Sequence, residues 1–291
     1  MIQVLANGKF LSDKALDVIK TLEPSGHVSA MELLIASFEQ PLEAWTISAE
    51  VSDITTAPYR GVPGLAGIDA YLSASETGAQ AWIDTDDFTL SLPKVYQRPI
   101  HIQKVTGQLA GRWQRDGMFL EDGLLLARAA DHDATVQFEI DIPFSASSSI
   151  ARKMRLAVAM TGAPIAVRNN YIPHRLPEPT YLWLQKTIGS GTVSAATFLW
   201  HGGLKPYGDP GQTTQLSVDF SGVTLDYQDA WPPADLPFGQ LRLSDGVIDV
   251  FASSAIVANI DLEDIRVGVR MQPGHALLLL EAESGSPLSA M

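Results

Sequence analysis

Apolar and polar residues alternate with period two along most of this chain. Trp45, Ile47, Ala49 and Val51 are interleaved with Thr46, Ser48 and Glu50. Phe88, Leu90 and Leu92 are interleaved with Thr89 and Ser91. The same holds for Val136, Phe138, Ile140 and Ile142, for Leu216, Val218 and Phe220, and for Ile256, Ala258, Ile260 and Leu262. Successive side chains of a strand point to opposite faces, so each run reads as a strand with one apolar and one wet face. Strands of parallel sheets are buried on both faces and read as continuous apolar runs. The pattern therefore predicts a mainly β protein built on a one-sided antiparallel sheet.

The alternation changes phase in places. After Phe220 it slips at Ser221-Gly222 and resumes at Val223, Leu225 and Tyr227. A second slip at Asp264-Ile265 hands over to Ile265, Val267, Val269 and Met271. An uncompensated slip of one residue would turn the apolar face outward. Bulges or tight bends are expected at both points, and such devices curve a sheet. Turn signals stand at Glu76-Thr77-Gly78, Arg115-Asp116-Gly117, Glu121-Asp122-Gly123 and Ser244-Asp245-Gly246.

Two or three short helices are expected. Ser12 can cap a helix over 13–22, and residues 29–38 read equally as helix or strand. The segment 177–188 carries Tyr181, Leu184 and Ile188 on one helical face, with Thr180 as a cap and Gly189-Ser190-Gly191 as the stop. At an offset of 169 residues, Ile47, Ala49, Val51, Ile54 and Pro63 echo Leu216, Val218, Phe220, Val223 and Pro232. The echo points to a recurring module of several strands. The expected organisation is a lead-in over 1–44, a first β module over 45–168, a Pro-rich connector with a helix over 169–191, and a second β module over 192–291.

Composition removes several function classes. With 33 acidic against 20 basic residues the net charge is −13, which opposes binding to nucleic acid or to an anionic membrane surface. There is no Cys, hence no disulfide, thiol nucleophile or thiolate metal site. No stretch reaches the roughly 18 apolar residues of a membrane-spanning helix. The N-terminus lacks a basic flank before an apolar run, and both ends read as cuts through a longer protein.

Catalytic motifs are missing. The six His residues have no metal-ligand spacing, and His132 between Asp131 and Asp133 reads as a polar turn. Asp84, Asp86 and Asp87 lack the Gly and distal Glu of a calcium loop. There is no G-x-S-x-G elbow, P-loop or dinucleotide fingerprint. The expectation is a non-enzyme without catalytic residues, cofactor or metal.

Residues 171–204, YIPHRLPEPTYLWLQKTIGSGTVSAATFLWHGGL, and 218–250, VDFSGVTLDYQDAWPPADLPFGQLRLSDGVIDV, are more specific. An aromatic-Ile-Pro opening, a short helix ended by Gly, Leu199-Trp200-His201-Gly202, and Tyr227-Gln228 leading to Trp231-Pro232 resemble the YhdP family of AsmA-like proteins. The stretch 45–72, with Gly61-Val62-Pro63-Gly64, is similar to the same family. The resemblance implies a twisted, curved antiparallel sheet forming an open apolar groove. It implies an interior, periplasmic segment of a longer inner-membrane-anchored protein that moves phospholipid between the inner and outer membranes. The implied partners are phospholipid acyl chains, the rest of the same polypeptide and envelope proteins, with no nucleic acid. On that reading the groove would be lined by Leu216, Val218, Phe220, Val223, Leu225, Tyr227, Ile256, Ile260 and Leu262.

Two other readings compete. The first is a carbohydrate-binding or carbohydrate-active β-sandwich, with Trp82-Ile83-Asp84 and Tyr227-Gln228-Asp229 as candidate aromatic-carboxylate pairs. The second is a ligand-free envelope scaffold, whose filled interior would make the same apolar residues a closed core. The side occupied by the aromatic residues, and the openness of the apolar face, discriminate among the three.

Overall fold

The computed structural model describes residues 21–36, 44–59, 62–145, 148–174, 178–203, 211–226, 232–272 and 275–284. The first strands are β1 (Ser25–Ile35), β2 (Trp45–Thr56), β3 (Gly64–Ser75), β4 (Gly78–Ser91) and β5 (Ile100–Gln114). They are followed by β6 (Gly117–Arg128), β7 (Asp133–Pro143), β8 (Lys153–Pro164) and β9 (Thr192–Gly203). The series closes with β10 (Thr213–Leu225), β11 (Ala234–Ser244), β12 (Val247–Val257), β13 (Ile260–Gln272) and β14 (His275–Glu283). All fourteen form one sheet in sequence order, antiparallel throughout, and β1 and β14 do not pair. The sheet is open.

Between β8 and β9 lie a 3-10 turn (Ile165–Val167), a single helical turn α1 (Arg168–Tyr171) and the helix α2 (Glu178–Thr187). The helix read from the sequence over 177–188 is α2, but Thr180 is inside it rather than at its cap. Residues 29–35 are strand, because they pair with β2. Residues 13–20 lie outside the described residues.

Local backbone chemistry explains the strand ends and the curvature. Asp245 and Gly246 both have positive φ (46° and 86°), as a two-residue hairpin turn twisted with its strands requires. Ala258 and Asn259 do the same (φ 53° and 66°) between the paired Val257 and Ile260. The apolar alternation through 256–262 is therefore two strands and not one. Within strands, Asp53, Gly67, Asp87, Asp122, Gly162, Gly222 and Asp264 adopt left-handed φ of 50° to 79°. Gly222 and Asp264 are the two slips visible in the sequence. Asp122 sits in the middle of β6, so Glu121-Asp122-Gly123 is a bulge and not a turn, and the pairing with β7 shifts there. Asp53 and Gly222 are 169 residues apart, which extends the internal echo to their left-handed backbone.

Among the described residues no second sheet covers this one. A compact protein of 31.4 kDa exposes about 12,000 Å², whereas this chain exposes 18815 Å². Eleven apolar side chains are buried among the described residues. Seven of them, Ile165, Phe220, Val223, Leu236, Ala252, Ala255 and Ile265, form one cluster where the β8–β9 connection meets β10 to β13.

Candidate functional site

Directly opposed residues of an antiparallel pair share a face, so the printed register can be followed from strand to strand. Val28, Val51, Ala70, Ile83, Gly107 and Leu125 oppose one another in turn from β1 to β6. Val136, Val158, Phe198 and Leu216 continue the row through β7 to β10. Leu243, Ile248, Val269 and Leu278 complete it to β14. No polar residue interrupts it. Two residues along each strand, a parallel row runs from Val105 in β5 through Met160, Val218 and Val250 to Leu280 in β14, again without a polar residue. The first row crosses thirteen inter-strand steps, or about 62 Å at about 4.8 Å each.

The other face is polar. The row that includes Tyr71 and Trp82 is broken by Glu50, Gln108, Gln137 and Gln215. Cross-strand ion pairs lie there: Lys104 with Asp84 and Asp86, Arg112 with Glu121 at 2.8 Å, and Arg155 with Glu139 at 2.7 Å. Lys104 has its pKa raised by its hydrogen bonds to Asp84 and then Asp86. Asp84 and Asp86 therefore answer a cation on the neighbouring strand. Tyr71 and Trp82 stack at 5.7 Å on this polar face and are 44% and 42% exposed.

The nominated groove residues divide. Leu216 and Val218 belong to the two continuous rows and are half-buried, with no cover from the cluster below them. Phe220 and Val223 share their face through a left-handed bend at Gly222, across which the pairing with β11 keeps its register, but they are packed into the closed cluster with Ile165. Leu225 and Leu262 pack against that cluster. Ile260 opposes Val257, which opposes Ala234, which opposes Leu225, so it shares this face. Ile256 does not. It opposes Asp235 and Asp261 on the polar face and is 43% exposed, because the turn at Ala258-Asn259 and a phase change after Ala252 bring Ala255 inward instead. Tyr227 lies outside the described residues. The residues nominated from the sequence left out the rows in β4 to β9, although Val136 was read as an alternating position; Leu125 stands in the unbroken run Leu124-Leu125-Leu126, where periodicity gives no face.

The β8–β9 connection is stitched to one rim of the sheet. Asp226 donates its N–H to the Thr187 carbonyl at 2.7 Å, and Gly189 donates to Thr224 at 2.9 Å. The Arg168 guanidinium donates to the carbonyls of Ile165, Leu184 and Gln185, which ties α1 to the end of α2. Its burial lowers its pKa. Tyr171 bonds His132 Nε2 at 2.8 Å, and His132 Nδ1 bonds Asp131 at 2.7 Å. His132 thus anchors the connection to the β6–β7 turn. No group of metal-ligating side chains occurs among the described residues.

A single open antiparallel sheet, apolar along one face and charged on the other, defines a β-groove protein. The family model for YhdP protein matches residues 2–291, and the chain belongs to the YhdP family. No curated protein and no solved structure matches it. The family is of a lipid-transport type rather than a known enzyme family, and it is associated with the cell envelope. No helix among the described residues is long and apolar enough to cross a membrane.

Proposed function

We propose that this chain is a segment of a periplasmic lipid conduit, in which phospholipid acyl chains slide across the strands along the apolar face while headgroups stay at the rim. The observation that carries this reading is the uninterrupted apolar row from Val28 to Leu278. Burying each acyl CH₂ is worth about 0.8 kcal/mol, so a tail on this face recovers much of what it loses on leaving a bilayer. With one apolar residue per strand, successive positions along the row are nearly equivalent, and movement meets no charged barrier. Leu216, Val218, Ile260 and Leu262 are floor residues on this reading. Sliding requires no nucleophile, general base or cofactor.

Native mass spectrometry of the purified chain, with lipid extraction from the same sample, tests it. Co-purifying phospholipid is expected, and Leu216→Asp should displace it, since a charge on an apolar floor costs several kcal/mol. A folded wild-type chain with no bound lipid, and no uptake when mixed with phospholipid vesicles, would overturn the reading.

A further inference from the structure

At the rim, the loop between β4 and β5 meets α1 and α2 around a cavity of about 350 Å³, a size at the small end of ligand sites. Its walls include Gln97, Arg98, Asn169, Asn170, Tyr181 and Gln185. None of the lining residues is acidic, in a chain whose net charge is −13. The strand arginines Arg112, Arg128, Arg155 and Arg266 each face a carboxylate. Arg98 is exposed and has no such partner among the described residues. Four carboxamides and the phenols of Tyr96 and Tyr181 add N–H and O–H donors to the same lining, and a guanidinium fork matches two phosphate oxygens. Arg168 lies immediately before Asn169, and its guanidinium donates to three carbonyls and keeps its charge, with no carboxylate partner among the described residues. The walls are held in place: Arg168 fixes α1 against α2, and the Tyr171 bond to His132 fixes α1 to the sheet.

We propose that this cleft binds the phosphate of a phospholipid whose tails lie on the apolar face. The assignment rests on the conduit reading above. It gives the rim a polar station for the headgroup, beside a floor that recognises only hydrocarbon.

The test uses the full chain and isothermal titration with three probes: monomeric dihexanoyl-phosphatidylglycerol, dihexanoylglycerol without phosphate, and inorganic phosphate. Arg98→Gln should weaken phosphatidylglycerol binding about tenfold and leave dihexanoylglycerol unchanged, with the circular dichroism spectrum preserved. Asn169→Ala should weaken it about threefold. Arg98→Lys should restore only part, because an ammonium lacks the planar fork. Equal affinity of wild type and Arg98→Gln for phosphatidylglycerol would overturn the headgroup site while dihexanoylglycerol binding keeps the groove. Inorganic phosphate binding as tightly as the lipid would make the cleft a free-anion site and overturn the headgroup assignment. If neither dihexanoyl probe binds wild type, the groove reading fails, and the headgroup assignment fails with it.

Discussion

The Phe220 ring lies across Gly239, the residue directly opposite it on β11, so closely that a methyl group on Gly239 would overlap the ring. Gly239 is thus a socket for the largest side chain of the buried cluster. Gly239→Ala should destabilise the chain by about 1–3 kcal/mol through overpacking, read as a lowered urea midpoint. In the Phe220→Ala background the same change should cost less, because the ring collision is gone and only the 2.9 Å approach to the Phe251 carbonyl remains. Equal cost in both backgrounds would remove the socket.

The bend at Gly222 has φ 61° and open space where a Cβ would stand. Any penalty for a side chain there is backbone strain alone. Gly222→Val should cost about 1–2 kcal/mol, and Gly222→Asn distinctly less, since Asn tolerates the left-handed region. Denaturant unfolding of the pair gives the order.

Thr85 is fully buried on β4, and its hydroxyl takes the place of ladder bonds where the pairing of β3 with β4 is broken. Its Oγ1 accepts the Asp69 N–H at 2.8 Å and donates to the Asp69 carbonyl at 3.0 Å. Thr85→Val leaves both backbone groups unpaired and should cost about 1–3 kcal/mol for each. Thr85→Ser keeps the hydroxyl and should cost less. Hydrogen exchange at the Asp69 amide should accelerate in the Val variant only.

Tyr171 has its phenol pKa raised from 10.0 to about 12, by burial first and then by the nearby Asp131 and Tyr96. The neutral phenol is therefore favoured in the folded state. Its contribution is fully present below pH 10 and is lost as the pH rises from 10 toward 12, where the unfolded chain ionises first. Burial raises the Tyr96 phenol pKa as well, so ultraviolet titration should show two late-ionising tyrosines among the described residues, and Tyr171→Phe should remove one of them. If the amplitude of the late step is unchanged in Tyr171→Phe, the assignment is wrong.

Much of the sheet was legible because a one-sided strand writes its alternation directly into the sequence. The slips at Gly222 and Asp264 announced a bend and a bulge for the same reason: a residue able to adopt positive φ stood where the phase changed. Asp122 misled because Glu-Asp-Gly serves a bulge as well as a turn, and only the pairing of β6 with β7 separates the two. Ala258-Asn259 was hidden because Ala is a poor turn signal and the alternation happened to continue across it, which put Ile256 on the wrong face. The cleft at Arg98 had no local signature. Its residues come from two segments more than sixty positions apart, joined where the His174 N–H donates to the Val95 carbonyl at 3.0 Å.

Each strand bonds only to its predecessor and its successor. Such a chain can assemble hairpin by hairpin in the order of synthesis, without closing a long loop between distant strands. Adding or deleting one hairpin would leave the cross-section unchanged and alter the reach of the trough by about 10 Å. Span is therefore a dimension that evolution can set in two-strand increments, independently of the surface that carries the cargo.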